Sequence, residues 1–353
     1  MRSRLLQIID FVLAPVVVLS ALVLKFVRRA GVQHMPIART TFRAIGVFPI
    51  EDHYYEPLFS PVHLNQRFAE ARSLPSIDWN LEGQLSFLKR IALYADEVPV
   101  ITSTSFGGAD AACWYCLLRC LHPQRVIEVG SGTSTQLALK ALERNGNKAS
   151  HICIEPYEEP WLEGSGAIVL RERLEDVDRN IFRQLGQNDV LFIDSSHVIR
   201  PQGDVLTEIL EILPSLAPGV IVHFHDIFSP RHYHYKWVTD EVRLWNEQYL
   251  LEAFLCCNTQ WEILGALNYL KHERPDALQQ VCQLLNFDQE PGSIYIRKRS
   301  TERIIDSLQA EKSSGASAST GHVIPPSLSL GAFDKGWYCR ERRRKVFNGL
   351  SRN

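Results

Sequence analysis

The chain has 353 residues, of which 45% are hydrophobic and 22% charged, enough to bury one principal domain with flanking segments. A formal net charge of -2 gives no global drive toward polyanions, so a dedicated nucleic-acid binder is excluded as the first reading. The eight cysteines, Cys113, Cys116, Cys120, Cys153, Cys256, Cys257, Cys282 and Cys339, lie largely in apolar runs and predict buried thiols of a reducing compartment. Cys113 and Cys116 have CxxC spacing, but no second pair or histidine follows at zinc-site distance.

The first predicted element is a membrane anchor over residues 1–30. "RSRLLQIIDFVLAPVVVLSALVLKFVRR" is apolar over 5–27 apart from Gln7, Asp10, Ser20 and Lys25. About 20 residues at ~1.5 Å rise cross ~30 Å of hydrocarbon, and no small-residue cleavage site follows. Arg2 and Arg4 precede the segment and Lys25, Arg28, Arg29, Arg39 and Arg43 follow it, so the main domain is expected in the cytoplasm. Pro15 near its middle and Asp10 leave two geometries open, a simple spanning helix or a re-entrant hairpin with both basic ends on one face. The basic start, Asp10, "AP" and apolar run are similar to the re-entrant helix of monotopic phosphoglycosyltransferases.

Residues 31–121 have aromatic and proline punctuation, "FPIEDHYYEPLFSP", then "WNLEGQLSFLKRIALYADEV" at helical spacing, and predict a mostly helical cap. Over 122–299 the pattern alternates. Strands are expected in "RVIEVG", "HICIEP", "AIVL", "DVLFID", "GVIVHFHD", "EAFLCC" and "SIYIRK". Helices are expected in "STQLALKALERN", "VDRNIFRQL", "DVLTEILEILPSL", "WVTDEVRLWNEQYL" and "WEILGALNYLKHE". Strands this apolar, separated by helices, imply an α/β fold with a mostly parallel sheet covered on both faces. Residues 300–353, with "EKSSGASASTGHVIPPSLSLG" and "CRERRRKVFNGLSRN", read as a low-complexity, disordered tail whose basic cluster suits anionic lipid heads or plain solvent.

The turn "RVIEVGSGTSTQLAL" carries the functional signal. A glycine-rich turn between a parallel strand and a helix lets backbone amides approach a ligand closely. It lacks the lysine of a phosphate-binding GxxxxGK[ST] loop. It also lacks the third glycine of the dinucleotide fingerprint, since Gly130-Ser131-Gly132 is followed by Thr133-Ser134-Thr135. Glu128 at the strand end would repel a pyrophosphate but suits a cationic aminoacyl group, directly or through water. Glu155 closes the next strand, where it suits two ribose hydroxyls. The acid-glycine-acid set points to S-adenosylmethionine.

"RVIEVGSGTST", "HICIEPYEEPWL", "NDVLFIDSSHV", "PGVIVHFHDIFSP" and "WNEQYLLEAFL", in this order, resemble class I S-adenosylmethionine-dependent methyltransferases, specifically the small-molecule branch known as Methyltransferase family 24. The resemblance covers roughly residues 77–298. It implies a seven-stranded Rossmann-like sheet, with Glu128, Gly130, Ser131 and Gly132 on the methionine part of the cofactor and Glu155 on its ribose. It further implies Glu175 or Asp176 near the adenine and Asp110 near the carboxylate end.

Methyl transfer needs an aligned nucleophile and, for a hydroxyl, help with deprotonation. The rim at the ends of the fourth and fifth strands supplies Asp194, Ser195, Ser196, His197, His223, His225 and Asp226. Three readings stand open: Asp194 and Asp226, with His197 or His225 nearby, hold Mg²⁺ or a similar ion; His197 or His225 is a metal-free base; or these residues are structural caps. "SPRHYHYKW" and "HYYEP" are possible acceptor walls. The expected function is O-methylation of a sugar, a lipid-linked glycan or another small polar acceptor at the cytoplasmic membrane face. The alternative is a non-catalytic membrane assembly protein that keeps the fold. Nothing in the sequence marks an oligomeric state.

Overall fold

The computed structural model describes residues 2–300 apart from 59–63, 65, 101, 102, 104, 147, 158, 284 and 287. The expected tail lies outside the described residues, except for Ser300. The chain starts with α1 (Arg2–Ala30), continuous through Pro15, whose 29 residues correspond to about 43 Å. Its apolar window carries no buried residue, which leaves a helix long and apolar enough for a bilayer. α2 (Pro36–Ile45) follows and is closed by Gly46 in the left-handed region at φ 78°.

The core elements follow in chain order: α3 (Leu81–Ile91), α4 (Gly108–Leu121), β1 (Arg125–Val129), α5 (Thr133–Arg144), β2 (Ser150–Ile154), β3 (Ile168–Leu170), α6 (Asn180–Arg183) and β4 (Val190–Ile193). A helical run then passes from α7 (Asp204–Leu206) through a π-helical stretch (Thr207–Ile212) to α8 (Leu213–Ser215). β5 (Ile221–Phe224), α9 (Tyr235–Thr239), α10 (Glu247–Leu255), β6 (Trp261–Ala266), α11 (Leu267–Glu273), α12 (Pro275–Gln279) and β7 (Ile294–Lys298) complete it.

The seven strands form one sheet in the order β3-β2-β1-β4-β5-β7-β6. β1 to β5 run parallel, and β7 pairs antiparallel with both β5 and β6. This is the Rossmann-like class expected, with the order reversing at β1 and β4, where open parallel sheets bind ligands.

Alternation along each strand divides the core in two. Val126, Val190, Phe192 and Ile221 face Trp114 of α4 and Leu137 of α5, while Ile127, Leu191, Ile193 and Val222 face Ile209 and Leu251 on the other side. Burial of each such Leu, Ile or Phe contributes about 1.5–3 kcal/mol.

Three expectations are corrected. "EAFLCC" is the end of α10, because Leu251 and Leu255 are spaced by one helical turn toward the core; Cys256 and Cys257 therefore emerge at its exposed end. The sixth strand is instead "WEILGA", a six-residue apolar run whose periodicity does not separate strand from helix. The region 31–121 is not one cap, because α4 buries residues 109–118 against the sheet and α5, and α3 packs Phe87 beside Tyr295.

Candidate active site

β1, β4 and β5 end level. Asp194 N donates to Val129 O at 2.9 Å and His225 N to Ile193 O at 2.9 Å, so the residues just past these strands converge on one rim. Gly130 turns the chain there at φ 88°, and a Cβ at this position would collide with the Asp194 carbonyl oxygen. Only glycine fits that approach without strain. Gly132 is different, since a Cβ on it would meet nothing within 4 Å, leaving open space beside the turn.

Glu155 supports the turn. Its Oε2 accepts from Ser131 N at 3.1 Å and Ser131 Oγ at 3.3 Å, and its Oε1 accepts from Tyr157 N at 2.9 Å. With Gly130, Leu174, Glu175 and Asp194 it lines a cleft of about 410 Å³. Glu175 also pairs with Arg200 at 3.3 Å. Asp176 does not line the cleft; it is exposed and bound to Arg173 at 2.8 Å, so of the two expected adenine contacts only Glu175 faces this space.

Glu128 is a correction. The strand period turns its side chain toward α5, and it is fully buried, 0% exposed. Its carboxylate meets His151 Nε2 at 2.6 Å, Ser134 Oγ at 2.9 Å and Thr135 Oγ1 at 3.1 Å. Those partners fix the first turn of α5 from below, so Glu128 shapes the glycine turn and does not open onto the cleft. The same alternation removes His223 from the rim: it is 0% exposed and stacks on Tyr295 at 4.2 Å, beside Trp114 and Phe192. Burial pushes its imidazole well below the usual range.

The remaining rim residues come together. His197 Nε2 lies 3.3 Å from Asp194 Oδ1 and 3.7 Å from Asp226 Oδ2, while His225 Nδ1 lies 3.3 Å from the same Asp194 oxygen and 3.8 Å from Asp226 Oδ1. His197 and Asp226 both hold left-handed backbone, at φ 59° and 58°, a strain that packed surroundings must maintain. Sequence reasoning missed Glu247 of α10, 50 positions downstream, whose Oε2 binds His197 Nδ1 at 2.7 Å. No local signal reaches it; only the packing of α10 under the loop after β4 makes the contact.

Electrostatics follow from this crowding. Burial opposes charge on His225, but Asp194 outweighs it and raises the imidazole to about 9. For His197 burial is likewise overcome, by hydrogen bonds to Asp194 and Glu247, and its value moves well above the usual range. Burial pushes Asp194 up, yet His225 and His197 hold it far below ordinary carboxylates. Asp226 is raised to about 6, chiefly by burial, with the neighbouring Asp194 adding and His225 opposing. His225 is therefore largely a cation at neutral pH, and Asp226 is the group poised near neutrality.

One imidazole nitrogen of His197 and one oxygen each of Asp194 and Asp226 lie within 4.8 Å of one another. Two carboxylates and an imidazole backed by a carboxylate fit a divalent cation, with Glu247 accepting the Nδ1–H hydrogen bond of a neutral His197 whose Nε2 faces the two carboxylates.

A second cavity of about 290 Å³ adjoins the cluster, lined by Asp110, His225, Asp226, His234, Trp237 and Gly292 among others. Asp110 spends its carboxylate on Gly292 N, at 3.0 and 3.2 Å. From "SPRHYHYKW", His234 and Trp237 face this cavity, whereas His232 stacks on Phe68 at 5.0 Å and Tyr233 is buried. "HYYEP" reaches neither cavity; Tyr54 and Tyr55 are exposed and Glu56 pairs with Arg28.

Residues 127–227 match the family described as Methyltransferase domain. A curated protein of Archaeoglobus fulgidus described as uncharacterized is 26% identical over 172 residues, covering 41% of this chain and 77% of that protein. Among solved structures, an SAH-bound methyltransferase from Podospora anserina is 15% identical, covers 61% of this chain and 88% of its own, and has a TM-score of 0.35. The O-methyltransferase TomG from Streptomyces achromogenes, involved in tomaymycin synthesis and bound to SAM, is 14% identical at a TM-score of 0.34, covering 66% and 94%.

Proposed function

We propose that this chain, whose residues 127–227 form a methyltransferase domain of the class I, S-adenosylmethionine-dependent kind, methylates a hydroxyl of a sugar, lipid-linked glycan or other small polar acceptor at the cytoplasmic membrane face. The observation that carries the reading is the meeting of the glycine turn with the Asp194, His197, His225 and Asp226 cluster at one rim, between two cavities. S-adenosylmethionine supplies an activated methyl group when bound. Gly130, Ser131 and Gly132 would hold its methionine part, Glu155 its ribose and Glu175 its adenine, a reading supported by the cleft that Gly130, Glu155 and Glu175 line and by the open space at Gly132.

On the acceptor side, Asp226 would take the proton of the acceptor hydroxyl that receives the methyl group. Its raised value suits that role better than a largely protonated His225 does. His225 holds Asp194 in place, and Trp237 and His234 offer faces for a polyol to stack on. Were a divalent cation held by Asp194, His197 and Asp226 instead, it would lower the pKa of the acceptor hydroxyl and Asp226 would serve as its ligand rather than as the base.

The membrane part of the reading rests on α1, whose apolar window is unburied, with the larger basic cluster at its C-terminal end. Tethering concentrates an acceptor held in the same surface. The test is transfer of a tritiated methyl group from S-adenosylmethionine into cell-envelope extracts by the full chain, with and without EDTA. Label in a base-stable ether of a glycan or glycolipid, lost in Asp226→Asn, is expected; absence of any labelled product with an intact, cofactor-binding protein sinks the enzymatic reading.

A further inference from the structure

We propose that α2 and the segment after it, residues 36–55, form an interfacial element that lies on the anionic lipid surface of the bilayer entered by α1. The helix has ten residues and not one of them is buried. A helix this short is marginal in water by itself, so it needs a surface to hold it.

Its pattern names the surface. Ile37, Thr41 and Ile45 form one stripe at four-residue spacing, and Arg39 and Arg43 form another on a different side. Ile37 is 83% exposed and Ile45 68%, and Val47, Phe48 and Ile50 continue the exposed apolar surface past Gly46. An amphipathic helix with its cations on the polar face opposite its apolar one is the form that settles at a headgroup boundary.

Position relative to α1 gives the second argument. Only residues 31–35 separate the two helices. Beyond α2 the chain returns to the end of the anchor: Arg29 donates to Glu51, and Arg28 pairs with Glu56 and lies 5.2 Å from the Phe48 ring, which packs edge-on to Phe42 of α2 at 5.9 Å. These contacts hold Tyr54 and Tyr55, 91% and 77% exposed, near the basic end of α1, where interfacial aromatics belong.

Charge selects the lipid. The anchor's own Arg28 and Arg29 are matched by Glu56 and Glu51, whereas Arg39 and Arg43 have no ion pair among the described residues. Two such cations on the polar face of a helix whose other face is apolar complement anionic headgroups, which their long side chains reach from above the apolar face.

The proposal rests on the reading of α1 as a membrane anchor, which flotation of the full chain with vesicles tests separately. An Ile45→Trp full chain is then compared with the unsubstituted chain in phosphatidylcholine vesicles with and without phosphatidylglycerol, using lipids brominated near the headgroup end. The added emission should be blue-shifted and quenched, more strongly with phosphatidylglycerol, and Arg39→Glu/Arg43→Glu should remove that excess. In the unsubstituted chain, amide exchange over 36–45 should slow in vesicles. A chain that floats with water-like, unquenched added emission and fast exchange overturns the interfacial assignment. Equal quenching in both vesicle types overturns the anionic selection, and a chain that does not float removes the anchor and this proposal together.

Discussion

Gly130 and Asp194 touch backbone to backbone: the Cα of the glycine turn faces the Asp194 carbonyl so closely that no side chain fits between them. The turn assigned to the methyl donor and the rim assigned to the acceptor are thus one rigid junction.

Gly130 and Gly132 should respond differently to alanine. Gly130→Ala forces a left-handed residue against the Asp194 carbonyl and should cost at least about 1–3 kcal/mol of stability, together with cofactor binding. Gly132→Ala meets open space in the protein and should melt near the parent temperature while weakening S-adenosylmethionine binding. Calorimetry beside thermal melts separates the two; equal affinity in parent and Gly132→Ala would place the cofactor elsewhere.

Glu128 and Glu155 should also part company. Removing the buried Glu128 leaves His151, Ser134 and Thr135 without their shared hydrogen-bond partner, so Glu128→Ala should destabilise the fold by at least about 1–3 kcal/mol. Glu155→Ala should lower cofactor affinity roughly 10–100-fold, the worth of about 1.5–3 kcal/mol in charged hydrogen bonds. Urea denaturation and cofactor titration read these directly; an unchanged unfolding midpoint in Glu128→Ala refutes the structural role.

His225 and Asp226 predict a pH dependence. His225 is raised to about 9 from an ordinary ~6.5, so its contribution to stability is complete below about 6.5 and is lost as pH rises through about 9. The loss is at most about 3 kcal/mol over that window, and His225→Gln should flatten it. Transfer should rise with pH through about 6 as Asp226 ionises, and fall toward about 9 as His225 gives up its proton. Imidazole NMR resonances that titrate near 6.5 would contradict the predicted window.

For the divalent-cation site, Mn²⁺ titration of the purified chain should give saturable binding that Asp194→Asn abolishes. Glu247→Gln should weaken it about 10–100-fold, as expected when the partner that orients a histidine ligand is lost. If the unsubstituted chain takes up no Mn²⁺, the cluster works as ion-paired side chains alone, with Asp226 as the proton acceptor.

The sequence by itself determined the α/β class, the long apolar first helix and the glycine turn after the first strand, because these depend on local periodicity and on motifs contiguous in the chain. It placed Asp194, His197, His225 and Asp226 together for the same reason: each lies just past a short apolar run in the alternating strand–helix series. Only the tertiary structure decided which way side chains point. Alternation along β1 and β5 turned Glu128 and His223 inward to the helices, and the packing of α10 beneath the loop after β4 brought Glu247 to His197. "EAFLCC" and "WEILGA" exchanged roles because a short apolar run can bury itself as strand or helix, and the neighbours choose. The direction of a side chain and the partners of a charge are set by which faces meet, and that information is spread over residues distant in the chain.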